Sequence, residues 1–479
     1  MKIQNNNSKL TFSINNRYLI ALSIVSSFIF SVFNQHISTE LVVDELFHYR
    51  QTKTYCQYKF SEWDDKITTL PGLYVLGFLY NQMINFILSI VYPKTLHECS
   101  LPILRSFNTI LLVFNFIIFY KIIQFNSQRN NRNSIYQKSL LLVLLPIYYF
   151  FHYLYYTDVP STLSVLLVYY YSLKKQYFVS SMIGIYSVFI RQTNIIWVFF
   201  TALTSILTLQ QEKENSNSNQ ESSLFNEIVS FIRFTIKNLL TIVSLLWGYI
   251  LVGIMFLVFL KVNGGIVVGD KGNHESSLHF VQLFYFSVFT LVFTLPSNLL
   301  SSETSPLRFI NTITQNLKRS SIKFITLYSL VLSVMVFLVK KFTYIHIFIL
   351  SDNRHYVFYL FNRIILKYTY SRYALIPLYC YCIWSMWVSL TRTSKKSKIW
   401  CIFYILCTIA VLLPSPLVEP RYYIVPFFIY QLNNYTDLQS PKLLTLNIIL
   451  TIFINIITIY VFITFPFQYP DGSVGRFFW

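Results

Sequence analysis

Residues 40–74, which begin ELVVDELFHYRQ and end SEWDDKITTLPGLY, gather side chains suited to proton transfer and sugar binding. Asp44, Glu45, His48, Arg50, Glu62, Asp64 and Asp65 lie there among Tyr55, Phe60 and Trp63, directly after a first apolar segment at 18–33. The whole chain has only 19 acidic residues, so this is a concentration of carboxylates at a membrane boundary. A carboxylate beside an apolar wall can act as general base toward a hydroxyl. Asp44 and Glu45 are the candidates for that chemistry, and the plain alternative is a polar cap or an ion pair with Arg50. Trp63 and Asp64 suit a sugar platform of aromatic face and carboxylate, although Trp at an interface is equally an anchor.

The elements that must position these groups are membrane helices. The 479 residues are 54% hydrophobic and 12% charged, about half the charged share of an ordinary soluble domain. Many apolar runs have the ~17–25 residues that an α-helix needs to cross a bilayer. The expected fold is therefore an all-α polytopic membrane protein with about 11–14 transmembrane helices in one integral-membrane domain. With 37 Tyr and 45 Phe against 11 Gly, its spans are bulky rather than GxxxG-laced, which favours grooves between helices. The formal charge of +19 could suggest nucleic acid, but the basic residues sit in short loops, as the positive-inside rule requires of a membrane protein without any nucleic-acid partner. The six Cys show no metal spacing, and only Cys56 and Cys99 fall where a disulfide could form.

Taking the N-terminus as cytosolic, the first span delivers the DELFH stretch to the lumen. If residues 73–92 crossed, the basic run 121–138 would become lumenal. We therefore expect 73–92 to be a re-entrant or interfacial helix within a first lumenal loop at 38–103, with span two at 104–125. Further spans follow at 140–155, 163–173, 178–190, 239–262, 278–300, 325–338, 373–390, 399–413 and 443–465, with a polar, low-complexity cytosolic linker expected to be disordered at 210–226. In this arrangement the purely basic loops share one side. The segments DELFH, WDDKITTLPG, YYTD, RQTN, GDKGNH, DNRHY and EPRY share the other.

Arg191, Lys271, Arg354, His355 and Arg421 thus fall on the side that the charge rule disfavours for cations. They could hold a phosphate through charge-assisted hydrogen bonds, or they could pair locally with Asp270, Asp352 and Glu419. Asp158 sits where a helix begins and would ordinarily be read as a cap. No HExxH, DxD, P-loop or GxGxxG pattern points to a metal or nucleotide.

Taken together, VDELFHYRQ, WDDKITTLPGLY, YYTDV, RQTNIIW, GDKGNHESSLHFVQLFYF, DNRHYVFY, EPRYYIVP and the late YPDGS resemble, along nearly the whole chain, the endoplasmic-reticulum α-1,2-glucosyltransferase family that adds the last glucose to the lipid-linked oligosaccharide. The family's usual WDP is here Trp63-Asp64-Asp65, and Pro160 follows YTDV where a small residue is usual. The resemblance implies a GT-C plan with a catalytic carboxylate in the first lumenal loop, in a multi-pass protein of the endoplasmic-reticulum membrane whose active site faces the lumen. It implies dolichyl-phosphate glucose as donor, the dolichyl-pyrophosphate oligosaccharide as acceptor, and an inverting displacement in the N-glycosylation pathway that needs no cofactor or metal. Asp44, or alternatively Glu45, would be the base. Arg191, Lys271, Arg354, His355 and Arg421 would hold the donor phosphate. His48, Trp63, Asp64, Thr68, Thr69, Asp158, Gln192, Asn194 and His274 would contact sugars. The competing readings are another lipid-phosphate-sugar glycosyltransferase or a lipid or solute transporter; against the transporter, the carboxylates lie in loops and no repeated halves are visible.

Overall fold

The computed structural model describes residues 16–38, 40–91, 99–126, 131–214, 223–274, 276–345, 352–470, 472 and 474–479. Within them the regular elements are helices, apart from a two-residue antiparallel pairing of Phe467–Gln468 with Val474–Gly475. Eight helices are long and apolar enough to cross a membrane: Arg17–Ile37, Gly72–Ile90, Leu101–Asn126, Asn194–Lys213, Leu239–Asn263, Ser321–Phe342, Ser371–Thr393 and Pro441–Thr464. Four shorter apolar helices, Tyr177–Ile190, Gln282–Val292, Tyr356–Ile365 and Lys398–Leu412, accompany them. In lipid every backbone polar group must be satisfied within the segment, and the helix is the open-chain solution that a bulky apolar sequence can adopt.

The centre of the bundle is the Asp158–Leu173 helix, buried along nearly its whole length against Leu101–Asn126, Tyr177–Ile190 and Asn194–Lys213. Aromatic rings fill the space around it, for example Phe119 against Phe428 at 4.8 Å and Tyr148 against Phe428 at 5.0 Å. Such edge-to-face contacts suit a chain rich in Phe and Tyr and poor in Gly.

Several expected spans are interrupted. The run expected at 140–155 is two helices, Arg132–Val143 and Pro146–Phe151. Pro146 has no amide proton for the preceding turn and restarts the helix at its first position. Likewise 278–300 divides into Gln282–Val292 and Leu295–Leu300, with Pro296 at the second start. The ends of the 210–226 linker are helical, within Asn194–Lys213 and Leu224–Lys237, and residues 215–222 lie outside the described residues.

The Gly72–Val91 and Leu101–Asn126 helices start at the same end of the molecule. A Cβ on Gly72 would lie 2.6 Å from the Phe189 carbonyl, close to Arg191, so only glycine permits this approach. At the start of the next helix, Arg105 donates to the carbonyls of Ile37 and Glu40 at 2.7 and 2.8 Å. Cys56 and Cys99 form a disulfide with a Cα separation of 6.2 Å, tying the Glu45–Cys56 helix to the approach to Leu101–Asn126.

The final residues return to that same end. Phe478 donates its amide to the Arg354 carbonyl at 3.0 Å and accepts from the Tyr356 amide at 3.2 Å. Arg476 caps the Pro441–Thr464 helix through the Phe462 carbonyl at 2.9 Å and pairs with Glu40 at 2.7 Å.

Candidate active site

The segments that the sequence set apart converge on one cavity of about 430 Å³. Asp44, His48, Thr68, Thr69, Arg191, Arg354, His355 and Arg421 all line it. They come from five stretches of chain, and the Asp158–Leu173 helix begins just behind them.

Asp44 stands immediately before the Glu45–Cys56 helix. Val43, the residue before it, has φ +47, a conformation that a β-branched side chain seldom adopts. The surroundings hold that strain in place. The Tyr156 hydroxyl donates to the Val42 carbonyl at 2.7 Å and accepts from the Asp44 amide at 3.2 Å, while the Val42 amide donates to Glu45 Oε2 at 3.2 Å. A backbone outlier fixed from several sides is common at sites where one side chain must be aimed.

The two adjacent carboxylates therefore have different fates. Glu45 is fully buried, with a two-pronged ion pair to Arg105 in which Arg105 Nε lies 2.8 Å from Oε1. Its Oε1 also accepts from the Tyr155 amide at 2.8 Å. With four donors on its two oxygens it has no room for a substrate hydroxyl, and it does not reach the cavity. Asp44 does: its side chain is 39% exposed and its Oδ2 lies 2.9 Å from Arg421.

Arg421 is the hub of the charges. Its guanidinium also contacts Glu419 at 2.6 Å and Asp158 at 3.7 Å, and it stacks over the rings of Phe151 and Tyr156. Asp158, 1% exposed, holds Arg191 at 2.9 Å on its other oxygen. Burial pushes the Asp44 carboxyl up, but Arg421, aided by His48 and His355, more than offsets this and holds it below the ordinary carboxylate range. His48, which bonds the Tyr74 hydroxyl at 3.0 Å, is pushed down to about 4, mainly by burial and also by Arg421 and Arg191, so it is neutral near pH 7.

A second group of charges closes the cavity. Arg354 makes a two-pronged bond to Asp352 at 2.8 and 2.7 Å, and His355 lies 3.5 Å from the same carboxylate and 3.2 Å from the Trp479 carbonyl. Burial raises the Asp352 carboxyl, and hydrogen bonds from Arg354 and His355 reverse this to a net lowering. The local pairs weighed on sequence, Arg354 with Asp352 and Arg421 with Glu419, are formed, yet both arginines still face the cavity.

The other wall is a pairing of two loops. Val268 donates to the Thr68 carbonyl at 3.2 Å and Asp270 to the Asp65 carbonyl at 2.9 Å. Gly269 makes the pairing feasible, since a Cβ there would lie 2.2 Å from the Asp65 oxygen.

Several expected sugar contacts have other occupations. Gln192 donates to the Thr68 carbonyl at 2.9 Å and so braces the wall from behind. Asn194, buried at the start of Asn194–Lys213, bonds Ser161 and the Ser187 carbonyl. Trp63 packs on Tyr74, and Asp64 accepts from the Lys66 amide at 3.0 Å in a local turn. Lys271 donates to the Asn263 carbonyl at 2.6 Å and does not line the cavity. The side chain of His274 lies outside the described residues. The sequence reading missed Arg105, Tyr156, Lys66 and the pair Phe478 and Trp479, of which the last four line the cavity. Arg105 did carry a signal, because an arginine in an apolar helix demands a partner.

A family model matches residues 38–432, and its description is the DIE2/ALG10 family. The chain belongs to that family. Among its relatives, a human Dol-P-Glc:Glc(2)Man(9)GlcNAc(2)-PP-Dol alpha-1,2-glucosyltransferase is 35% identical over 478 residues, covering 95% of this chain and 96% of its own. Proteins of the same description from Candida albicans and Arabidopsis thaliana are 34% and 33% identical. Their alignments cover 93% and 94% of this chain, and 95% and 97% of the relatives. The family match spans every cavity-lining segment except the C-terminal one.

Proposed function

We propose that this chain transfers glucose from dolichyl-phosphate glucose to the terminal glucose of dolichyl-pyrophosphate-linked Glc2Man9GlcNAc2, forming an α-1,2 bond. The observation that carries the reading is Asp44, a carboxylate held by Arg421 at 2.9 Å and open to a cavity lined with arginines. The family's relatives supply the substrates through their names.

In a single displacement, Asp44 takes the proton from the acceptor's 2-hydroxyl as that oxygen bonds to the anomeric carbon. The bond from that carbon to the phosphate oxygen breaks, and dolichyl phosphate leaves with the electron pair. A β-linked donor then gives an α-linked product. The leaving group departs as an anion, so Arg354, Arg191 and His355 at the cavity wall stabilise developing charge rather than deliver a proton. Because each arginine is already fixed by a carboxylate, little reorganisation accompanies the transition state.

The cavity belongs on the lumenal side in this reading. A disulfide at Cys56–Cys99 suits an oxidising compartment, and Lys175, Lys395 and Lys396 lie at the opposite end of the Asp158–Leu173 helix. The Gly72–Val91 helix is then re-entrant or interfacial, since nine residues separate it from a helix that starts at the same end as it does. Such a link is too short to recross the bilayer as helix, and an extended crossing would leave its backbone unsatisfied.

Purified chain in vesicles with both lipid substrates tests the proposal. Glucose should appear on the acceptor in α-1,2 linkage, and no transfer by folded protein would sink it. Transfer with a retained β anomer would sink the single displacement alone.

A further inference from the structure

The opposite end of the Asp158–Leu173 helix opens on a second and larger cavity of about 690 Å³. That helix has 16 residues, so the two cavities are separated by roughly 24 Å along its axis. The walls are its last turn with Ser172, the start of Tyr177–Ile190, the second half of Asn194–Lys213, and the turn 393–397 that leads into Lys398–Leu412. These are helix ends, and in a bundle that spans a bilayer the ends of the helices lie near the lipid headgroups.

The lining carries three lysines, Lys175, Lys395 and Lys396, against one carboxylate, Glu212. Glu212 is engaged with Lys175 at 2.7 Å. Among the described residues Lys395 and Lys396 form no ion pair. Lys396 lies 5.1 Å over the Trp400 ring, and burial pushes its ammonium down to about 8, as befits a cation in a pocket without a counter-anion. Lys395 has φ +51, a strained conformation for a residue with a Cβ, at the lip of the cavity. One lining atom, Thr393 Oγ1, is shielded from solvent and has no hydrogen-bond partner among the described residues. Buried polar atoms are nearly always satisfied, so an orphaned donor beside two uncompensated cations points to an absent anionic acceptor. The volume is within the ~300–1,000 Å³ of small-molecule sites.

We propose that this second cavity binds a phosphate carried by the headgroup of an anionic phospholipid in the adjoining leaflet, with Lys395 and Lys396 on the phosphate and Thr393 completing its hydrogen bonds. The site is separate from that for dolichyl phosphate and independent of the glucosyl-transfer reading.

Full-length protein in nanodiscs of phosphatidylcholine, alone or with a minor fraction of phosphatidylinositol, provides the test. Native mass spectrometry counts retained phosphatidylinositol, and Trp400 fluorescence and the thermal midpoint follow binding. Wild-type protein should retain phosphatidylinositol and unfold at a higher temperature with it present. The double variant Lys395→Gln/Lys396→Gln should bind it at least tenfold more weakly, with an unchanged midpoint in phosphatidylcholine alone. Glu212→Gln removes the one carboxylate of the lining and should tighten binding several-fold, a direction that damage to the fold cannot imitate. Equal binding by all three proteins overturns the proposal. Saturation by inorganic phosphate, with no preference for the lipid, overturns the lipid as its source.

Discussion

The two ends of the Asp158–Leu173 helix use charge in opposite ways. At its N-terminal end every arginine that faces the cavity is fastened to a carboxylate: Arg191 to Asp158, Arg354 to Asp352, and Arg421 to Asp44 and Glu419. At its C-terminal end Lys395 and Lys396 stand without such partners among the described residues. Paired charges have fixed geometry before any substrate arrives, which suits stabilisation of a short-lived state. Uncompensated charges have strong attraction and little fixed geometry, which suits retention of a ligand. Counting basic residues per loop sees only the second kind.

The sharpest way to break the contrast is to neutralise the charged groups at one end at a time. Asp44→Asn should lower the glucose-transfer rate by about 10³-fold or more, the upper range for loss of a general base, with donor binding retained. Lys395→Gln/Lys396→Gln should leave that rate within about twofold, since the pair lies at the far end of the Asp158–Leu173 helix, remote from the reacting groups. A comparable loss from the lysine pair would mean that the two ends act as one site. Radiolabelled glucose incorporation under both conditions decides this.

Next in size is the support of the first site. Arg105→Ala leaves Glu45 as a buried, unpaired carboxylate and should cost about 3–5 kcal/mol of stability, read from denaturant or thermal unfolding in detergent. An unchanged midpoint would show that Glu45 has found other partners.

A smaller effect separates the arginines by task. Arg354→Ala removes a charged donor from the cavity wall and should raise the KM for dolichyl-phosphate glucose by about 10- to 100-fold, with acceptor KM little changed. Lys271→Ala, outside the cavity, should change neither. Reversal of the two outcomes would move the phosphate toward the GDKGNH loop.

The smallest effect lies in pH. Asp44 works ionised, so the rate rises with pH through its pKa, and Arg421 holds that pKa below its ordinary value of about 3.9. The acid limb of kcat/KM should therefore lie below the usual carboxylate range in the wild type. Arg421→Gln should shift the limb upward, as expected on losing an adjacent opposite charge. A limb that stays in place would show that a different group is titrating.

Much of this was legible in the chain. The purely basic loops and the mixed-charge loops separate by side in a hydropathy pass, and DELFH, YYTD, RQTN, DNRHY and EPRY do meet at one cavity. The division of labour within those motifs was not. Asp44 and Glu45 look equivalent as neighbours, and what separates them is Arg105, sixty residues beyond Glu45. Gln192 and Asn194 resemble sugar ligands by type, but backbone carbonyls at Thr68 and Ser187 claim their donors. The closing contribution of Phe478 and Trp479 depends on a hydrogen-bond pairing with residues 354–356 that no hydropathy pattern encodes.

The saturated Glu45 gives its neighbour a fixed aim. A residue in a turn ordinarily wanders by more than the tolerance of proton transfer, whereas Asp44 is one peptide unit away from a group riveted to Arg105 and Tyr155 on two other chain segments and to the Val42 amide of its own. Shortening Glu45 by one methylene, as in Glu45→Asp, would displace the reactive carboxylate without touching it. Genetic variation at Glu45 or Arg105 would then present as loss of catalysis in a molecule whose every reacting group is intact.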